Sequence, residues 1–117
     1  MKTFNERRKD KRFSVKNRST VLVSPTTILS YAVLDISDSG LAFSYAGWEK
    51  WPTKGIKLDI LDQEFFMENI PISVIKDVRL DYESKELHLR RCGVKFTSLE
   101  ADQRAILRQY LASVAAN

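Results

Sequence analysis

Apolar side chains recur at every second position through most of this chain and, past Thr97, at every third or fourth. That switch constrains the fold more than any other feature. A period of two marks half-buried strands, and a period near 3.6 marks an amphipathic helix. Alternation is visible at Phe13 and Val15; Val21 and Val23; Tyr31 and Val33 within 28–34; Leu41, Phe43 and Tyr45; and Ile56, Leu58 and Ile60. A short apolar run at 65–67 precedes Ile70, Ile72 and Val74, which read as a further strand continuing toward Leu80. Leu87 and Leu89 open the last strand, which shifts face near Arg91 and continues as Cys92, Val94 and Phe96. Gly93 in that strand suggests a bulge or a close backbone approach. Turn-forming clusters separate the strands: 24–27, Asp35 to Gly40, the loop 46–55, Asp62-Gln63 and 82–85. Thr97-Ser98-Leu99-Glu100 reads as a capping box opening a helix from about residue 98, with Leu99, Ile106, Leu107, Tyr110, Leu111 and Val114 on one stripe.

The sum is a mainly β chain of about six short antiparallel strands and one C-terminal helix. Closing such strands into a small barrel removes sheet edges, and the helix then caps one opening; an open sheet or sandwich with a docked helix is the alternative. A length of 117 residues suits one domain. Residues 1–12 lack apolar periodicity and read as a flexible basic arm, leaving 13–117 as the folded domain. No apolar run approaches the roughly 20 residues needed to cross a bilayer, and no apolar segment follows the basic start, so neither membrane insertion nor a signal peptide is expected. One cysteine, Cys92, and one histidine, His88, exclude an internal disulfide and a zinc site, and a reducing cytoplasm is the expected compartment.

Charge is unevenly placed. Residues 1–20 hold eight basic side chains against two acidic ones, a net of +6, and residues 21–117 hold eleven against thirteen, a net of −2. A concentrated cationic arm suits a polyanion, and as a bland reading it is a solvated tail. Two loop clusters stand out. One is Arg7-Arg8-Lys9-Asp10-Lys11-Arg12 and the other is Asp35-Ile36-Ser37-Asp38-Ser39-Gly40. No nucleophile–base pair, metal cluster or phosphate-cradling glycine loop is visible, so neither catalysis nor a cofactor is expected.

Arg8-x-x-x-Arg12, two strand-like segments, then Asp35-x-Ser37-x-x-Gly40, with Gly93-Val94-Lys95-Phe96 leading into a terminal helix, resembles the PilZ domain family of bacterial receptors for cyclic di-GMP. The resemblance spans nearly the whole chain. It implies a six-stranded split barrel, and a site built from Arg8 and Arg12 with Asp35, Ser37 and Gly40. It further implies that Arg7, just before the first motif arginine, accompanies binding of an intercalated pair of ligands. The chemistry is consistent. Guanine O6 and N7 accept a guanidinium fork, phosphate oxygens accept the same fork, and the planar group stacks on a purine. A carboxylate at Asp35 accepts from guanine N1–H and N2–H₂, Ser37 adds a short hydroxyl, and Gly40 permits the turn and lets a ligand lie against bare backbone.

The expected function is therefore a cyclic di-GMP receptor or adaptor that changes conformation on binding and signals to a partner protein. Two rivals are a small-barrel nucleic-acid binder using its basic arm, which the net acidic body disfavours, and a PilZ-fold module that acts only through protein contacts. Trp48 and Trp51 read first as covers of a barrel mouth, and Arg90 and Arg91 first as surface ion-pair residues, with ligand contact as the sharper alternative for each.

Overall fold

The computed structural model describes residues 11–15, 18–24, 30–46, 51–52, 54–63, 65–79 and 89–116. The expectations placed on residues 1–10, including the arm, Arg7 and Arg8, and those on Trp48 and His88, lie outside them.

Among the described residues seven strands precede one helix: β1 (Phe13–Ser14), β2 (Thr20–Ser24), β3 (Ser30–Ile36), β4 (Gly40–Tyr45), β5 (Lys57–Asp62), β6 (Phe65–Arg79), β7 (Arg90–Phe96) and α1 (Ala101–Ala116). All pairings are antiparallel. Six strands close in the order β3-β2-β5-β6-β7-β4, with β4 returning to β3. The expected six-stranded barrel is present. The extra strand, β1, continues the edge of β3 that β2 leaves: β2 pairs with its first half (Thr20 opposite Ala32) and β1 with its second (Ser14 opposite Asp35). Val15 and Ser19 tie the two strands to β3, with the Val15 N–H donating to the Leu34 carbonyl at 3.1 Å and the Val33 N–H to the Ser19 carbonyl at 2.9 Å.

The alternating positions fill the barrel. Val21, Val23, Val33, Phe43, Leu58, Ile60, Ile70 and Cys92 are almost wholly buried. Burying each large aliphatic side chain removes enough apolar surface from water for about 2 kcal/mol. At one end Trp51 meets Tyr31, Phe43 and Tyr45 edge-on, with ring centroids 5.0–6.1 Å away, as expected of a cover over the barrel mouth. At the other end α1 docks through Leu107, Tyr110 and Leu111. Tyr110 stacks on Phe65 at 4.0 Å and donates to Asp62 at 2.6 Å, and Arg18 reaches the same carboxylate at 2.8 Å.

Several local expectations are corrected. The segments at 65–67 and 70–74 are one strand, β6, because Asn69 takes a left-handed φ of 55° beside a register shift and keeps the ladder continuous. Asn tolerates that region better than most residues, and its N–H is held by Asp59 Oδ1 at 2.9 Å. The helix starts at Ala101. The Thr97 N–H donates to the Pro71 carbonyl at 2.9 Å, so barrel pairing runs past the strand's end and the helix cap moves three residues on, to Glu100. There the Glu100 N–H is met by Gln103 Oε1 at 2.9 Å, and the Glu100 carbonyl accepts from Arg104. Ile106, expected on the buried stripe, is 42 % exposed. The extra residue of the bulge suggested by Gly93 lies opposite it on β6, between Val74 and Lys76.

Candidate functional site

The β3–β4 connection is shorter than the turn expected at residues 35–40. Asp35 and Ile36 belong to β3 and Gly40 opens β4, leaving Ser37–Ser39 as the turn. Ser37 closes it. Its N–H donates to the Gly40 carbonyl at 2.8 Å, its hydroxyl donates to that carbonyl at 3.3 Å, and the Ser39 N–H donates back to Ser37 Oγ at 3.2 Å. Ser37 is 5 % exposed. A serine hydroxyl competes well for local backbone groups in this way.

Gly40 is required for a different reason from the one its place in a turn suggests. Among the described glycines only Gly55 has a positive φ, at 77°. At Gly40 a Cβ would lie 2.1 Å from the Val94 carbonyl oxygen and 3.1 Å from Lys95 Cα. The missing side chain lets β7 approach β4, so its bare backbone faces the neighbouring strand.

Arg12 is exposed, one residue before β1. Because Phe13 pairs with Ile36 and Ser14 with Asp35, the chain direction brings Arg12 toward the Ser37 turn. The fold thus gathers Arg12, Asp35, Ser37 and Gly40 around one corner of the barrel. Arg7 and Arg8 lie outside the described residues.

Two further side chains meet this corner. Arg91 Nη2 donates to Asp35 Oδ2 at 2.7 Å. Asp38, on the turn itself, faces Arg108 of α1 with Nε 3.8 Å from Oδ1, and both line a cleft of about 240 Å³ with Lys11, Phe13 and Leu111. The inward alternation of Cys92, Val94 and Phe96 shows in the sequence that Arg91 points outward, but its partner lies 56 positions away and is invisible there. Arg90 is occupied elsewhere: its Nε donates to Asp77 Oδ1 at 2.8 Å, and the Tyr45 hydroxyl donates to the same carboxylate. Trp51 packs with the core aromatics. No group of three or more metal-ligating side chains occurs among the described residues.

Comparison with known proteins fits this fold. The PilZ domain family model matches residues 6–113. The fold is similar to the PilZ domain with c-di-GMP of YcgR from Escherichia coli (TM-score 0.71, 13 % identity, 94 % of this chain and 92 % of that one). It is also similar to Escherichia coli YcgR in complex with c-di-GMP (TM-score 0.69, 13 % identity, 94 % and 46 %). A third similar structure is MrkH, described as a c-di-GMP-dependent transcription regulatory factor (TM-score 0.66, 17 % identity, 94 % and 52 %). The chain spans about half the length of the last two. No curated protein sequence matches it. With a family model covering almost the entire chain and a closed barrel of the same form, this chain belongs to the PilZ domain family.

Proposed function

We propose that this chain is a cyclic di-GMP receptor in which Arg7, Arg8 and Arg12 close on a ligand held against Asp35, Ser37 and Gly40. The observation that carries this reading is the β1–β3 register, which sets the second motif arginine beside the Asp-x-Ser-x-x-Gly corner. Two arginines four residues apart on one segment suit a compact dianion with two guanine edges, since each fork satisfies a phosphate or a Hoogsteen edge bidentately. Asp35 supplies the acceptor for the guanine amide edge. Ser37 supports the corner as its turn-closing residue, and Gly40 as the residue that lets β7 close on β4.

Ligand contacts then fix the N-terminal arm against the β3–β4 turn, and the arm with its ligand forms a surface that an effector protein reads. Fixing a segment costs conformational entropy, so the gross contacts exceed the net affinity. Arg7 provides the extra fork that a second, intercalated ligand requires.

Titration calorimetry tests the reading. Wild-type chain is expected to bind cyclic di-GMP and to show no comparable binding of GTP or a single-stranded oligonucleotide. Arg8→Ala and Arg12→Ala are each expected to weaken binding by at least about tenfold, a loss of about 1.4 kcal/mol or more, with unchanged circular dichroism. A stoichiometry near two that falls to one in Arg7→Ala supports the paired ligand. A folded wild type that ignores the nucleotide, or both arginine variants binding as wild type does, removes the site.

A further inference from the structure

A carboxylate is an awkward group to place in a site for a doubly anionic ligand. Asp35 faces that difficulty, and the structure places a countercharge beside it from a residue outside both motifs, Arg91 on β7. Residues opposite one another on paired strands share a face. Asp35 is opposite Ala42, Ala42 opposite Gly93, and Ser44 opposite Arg91, so all five lie on one face of the sheet, outside the barrel. β4 runs between β3 and β7, which puts those two strands about 9–10 Å apart. The ion pair therefore spans β4, a reach that suits a long guanidinium side chain. Ala42 lies on the face it crosses and is only 2 % exposed.

The pair leaves Asp35 able to accept more. A carboxylate offers about four acceptor positions, and Arg91 takes one of them on Oδ2. Oδ1 and the remaining Oδ2 position are free of Arg91 and match the two-donor edge of guanine. Among the described residues, Arg91 is the side chain hydrogen-bonded to Asp35; the Ser37 hydroxyl is engaged within its own turn. Neither member of the pair is fully exposed, with side chains 22 % and 28 % accessible, so solvent screens the attraction only in part.

Resting on the receptor reading above, we infer that Arg91 is a positioning residue for ligand binding: it holds the Asp35 carboxylate across β4 and cancels its charge, so that Asp35 reads a guanine edge without repelling the phosphates. Arg90 has no such role, since Asp77 occupies it.

The test uses the 117-residue chain, cyclic di-GMP and, as a selectivity probe, cyclic di-AMP, whose adenine lacks the N1–H donor. Arg91→Gln removes the charge and keeps much of the length. It is expected to weaken cyclic di-GMP binding by about tenfold or more and to narrow the preference over cyclic di-AMP. Arg91→Lys restores the charge and is expected to recover at least half of the loss on a logarithmic scale. Thermal unfolding without ligand confirms that each variant folds, and Arg91→Met, which keeps the apolar stem, replaces Gln if that variant does not. Arg91→Gln binding as tightly as wild type or tighter, or Arg91→Lys losing as much as Arg91→Gln, overturns the inference while leaving the receptor reading intact. A wild-type chain that binds neither dinucleotide overturns the receptor reading itself.

Discussion

Replacing Gly40 with alanine separates two accounts of why glycine stands there. If its role is to bare the backbone for a ligand, Gly40→Ala weakens binding and leaves the fold alone. The structure says otherwise. The new Cβ would lie 2.1 Å from the Val94 carbonyl oxygen, about 0.9 Å inside the 3.0 Å that such contacts essentially never breach, and the opposing atom is backbone. Relief requires β4 and β7 to part by that amount around the Gly40–Lys95 pair. The bonds nearest the shift are Phe96 N–H to the Ser39 carbonyl at 2.9 Å and Ser37 N–H to the Gly40 carbonyl at 2.8 Å. Weakening two backbone hydrogen bonds at about 1 kcal/mol each, with overpacking of about 1–3 kcal/mol and a gain of about 0.5–1 kcal/mol from a stiffer unfolded chain, predicts a net loss of about 2–4 kcal/mol. For a domain of this size that lowers the melting temperature by roughly 10 °C. Gly93→Ala is the internal control. Its Cβ would meet Lys76 atoms at 3.7 and 3.9 Å, ordinary contacts, so it should be neutral or stabilising by up to about 1 kcal/mol. Urea unfolding of both variants reads the difference. Gly40→Ala within about 0.5 kcal/mol of wild type, or the two variants alike, refutes the strand-approach argument.

Three further outcomes follow from buried titratable groups. The Asp62 side chain is only 5 % exposed, and burial pushes its carboxyl up, but bonds from Tyr110, Arg18 and the Gln63 N–H outweigh this and hold it below the ordinary value near 4. A lowered folded value stabilises above the unfolded one and is lost as pH falls through the folded one. The stability gap between wild type and Asp62→Asn should therefore be constant above about pH 5 and shrink below about pH 4 in acid titrations of urea unfolding. Burial, reinforced by Asp77 and Asp62 respectively, pushes the phenols of Tyr45 and Tyr110 up to about 12. The unfolded chain ionises near 10, so it binds fewer protons between about pH 10 and 12 and stability falls there, less steeply in a Tyr45→Phe/Tyr110→Phe variant. Cys92 is fully buried and its thiol is pushed up to about 12 by that burial, so a thiol reagent should modify it only at the rate of unfolding, and faster labelling without denaturant would contradict this packing.

The strands were legible because inward positions alternate with outward ones, and the barrel depends on little else: Val21 and Val23, Phe43 and Tyr45, Leu58 and Ile60 all face where the period of two places them. What stayed hidden depends on partners distant in sequence. Nothing local announces that Asn69 adopts φ 55° and fuses two apparent strands. Thr97 carries every mark of a helix cap, yet its N–H is claimed by Pro71 across the sheet. Gly40 sits among turn formers, and its requirement comes from Val94, 54 residues away. The corner itself was readable as Arg12, Asp35, Ser37 and Gly40 because its residues fall in two short motifs. Arg91 joined it only once three strands were laid side by side.

β1 is two residues long and stands outside the ring, since the other six strands complete their circuit without it. Peeling it from β3 would sacrifice a pair of rungs and leave every stave of the cask in place. Whatever pulls on the segment ahead of Phe13 thus tugs first on a short zipper beside Asp35. If that leading strip were lifted, the six-stranded ring would keep its own ladder throughout.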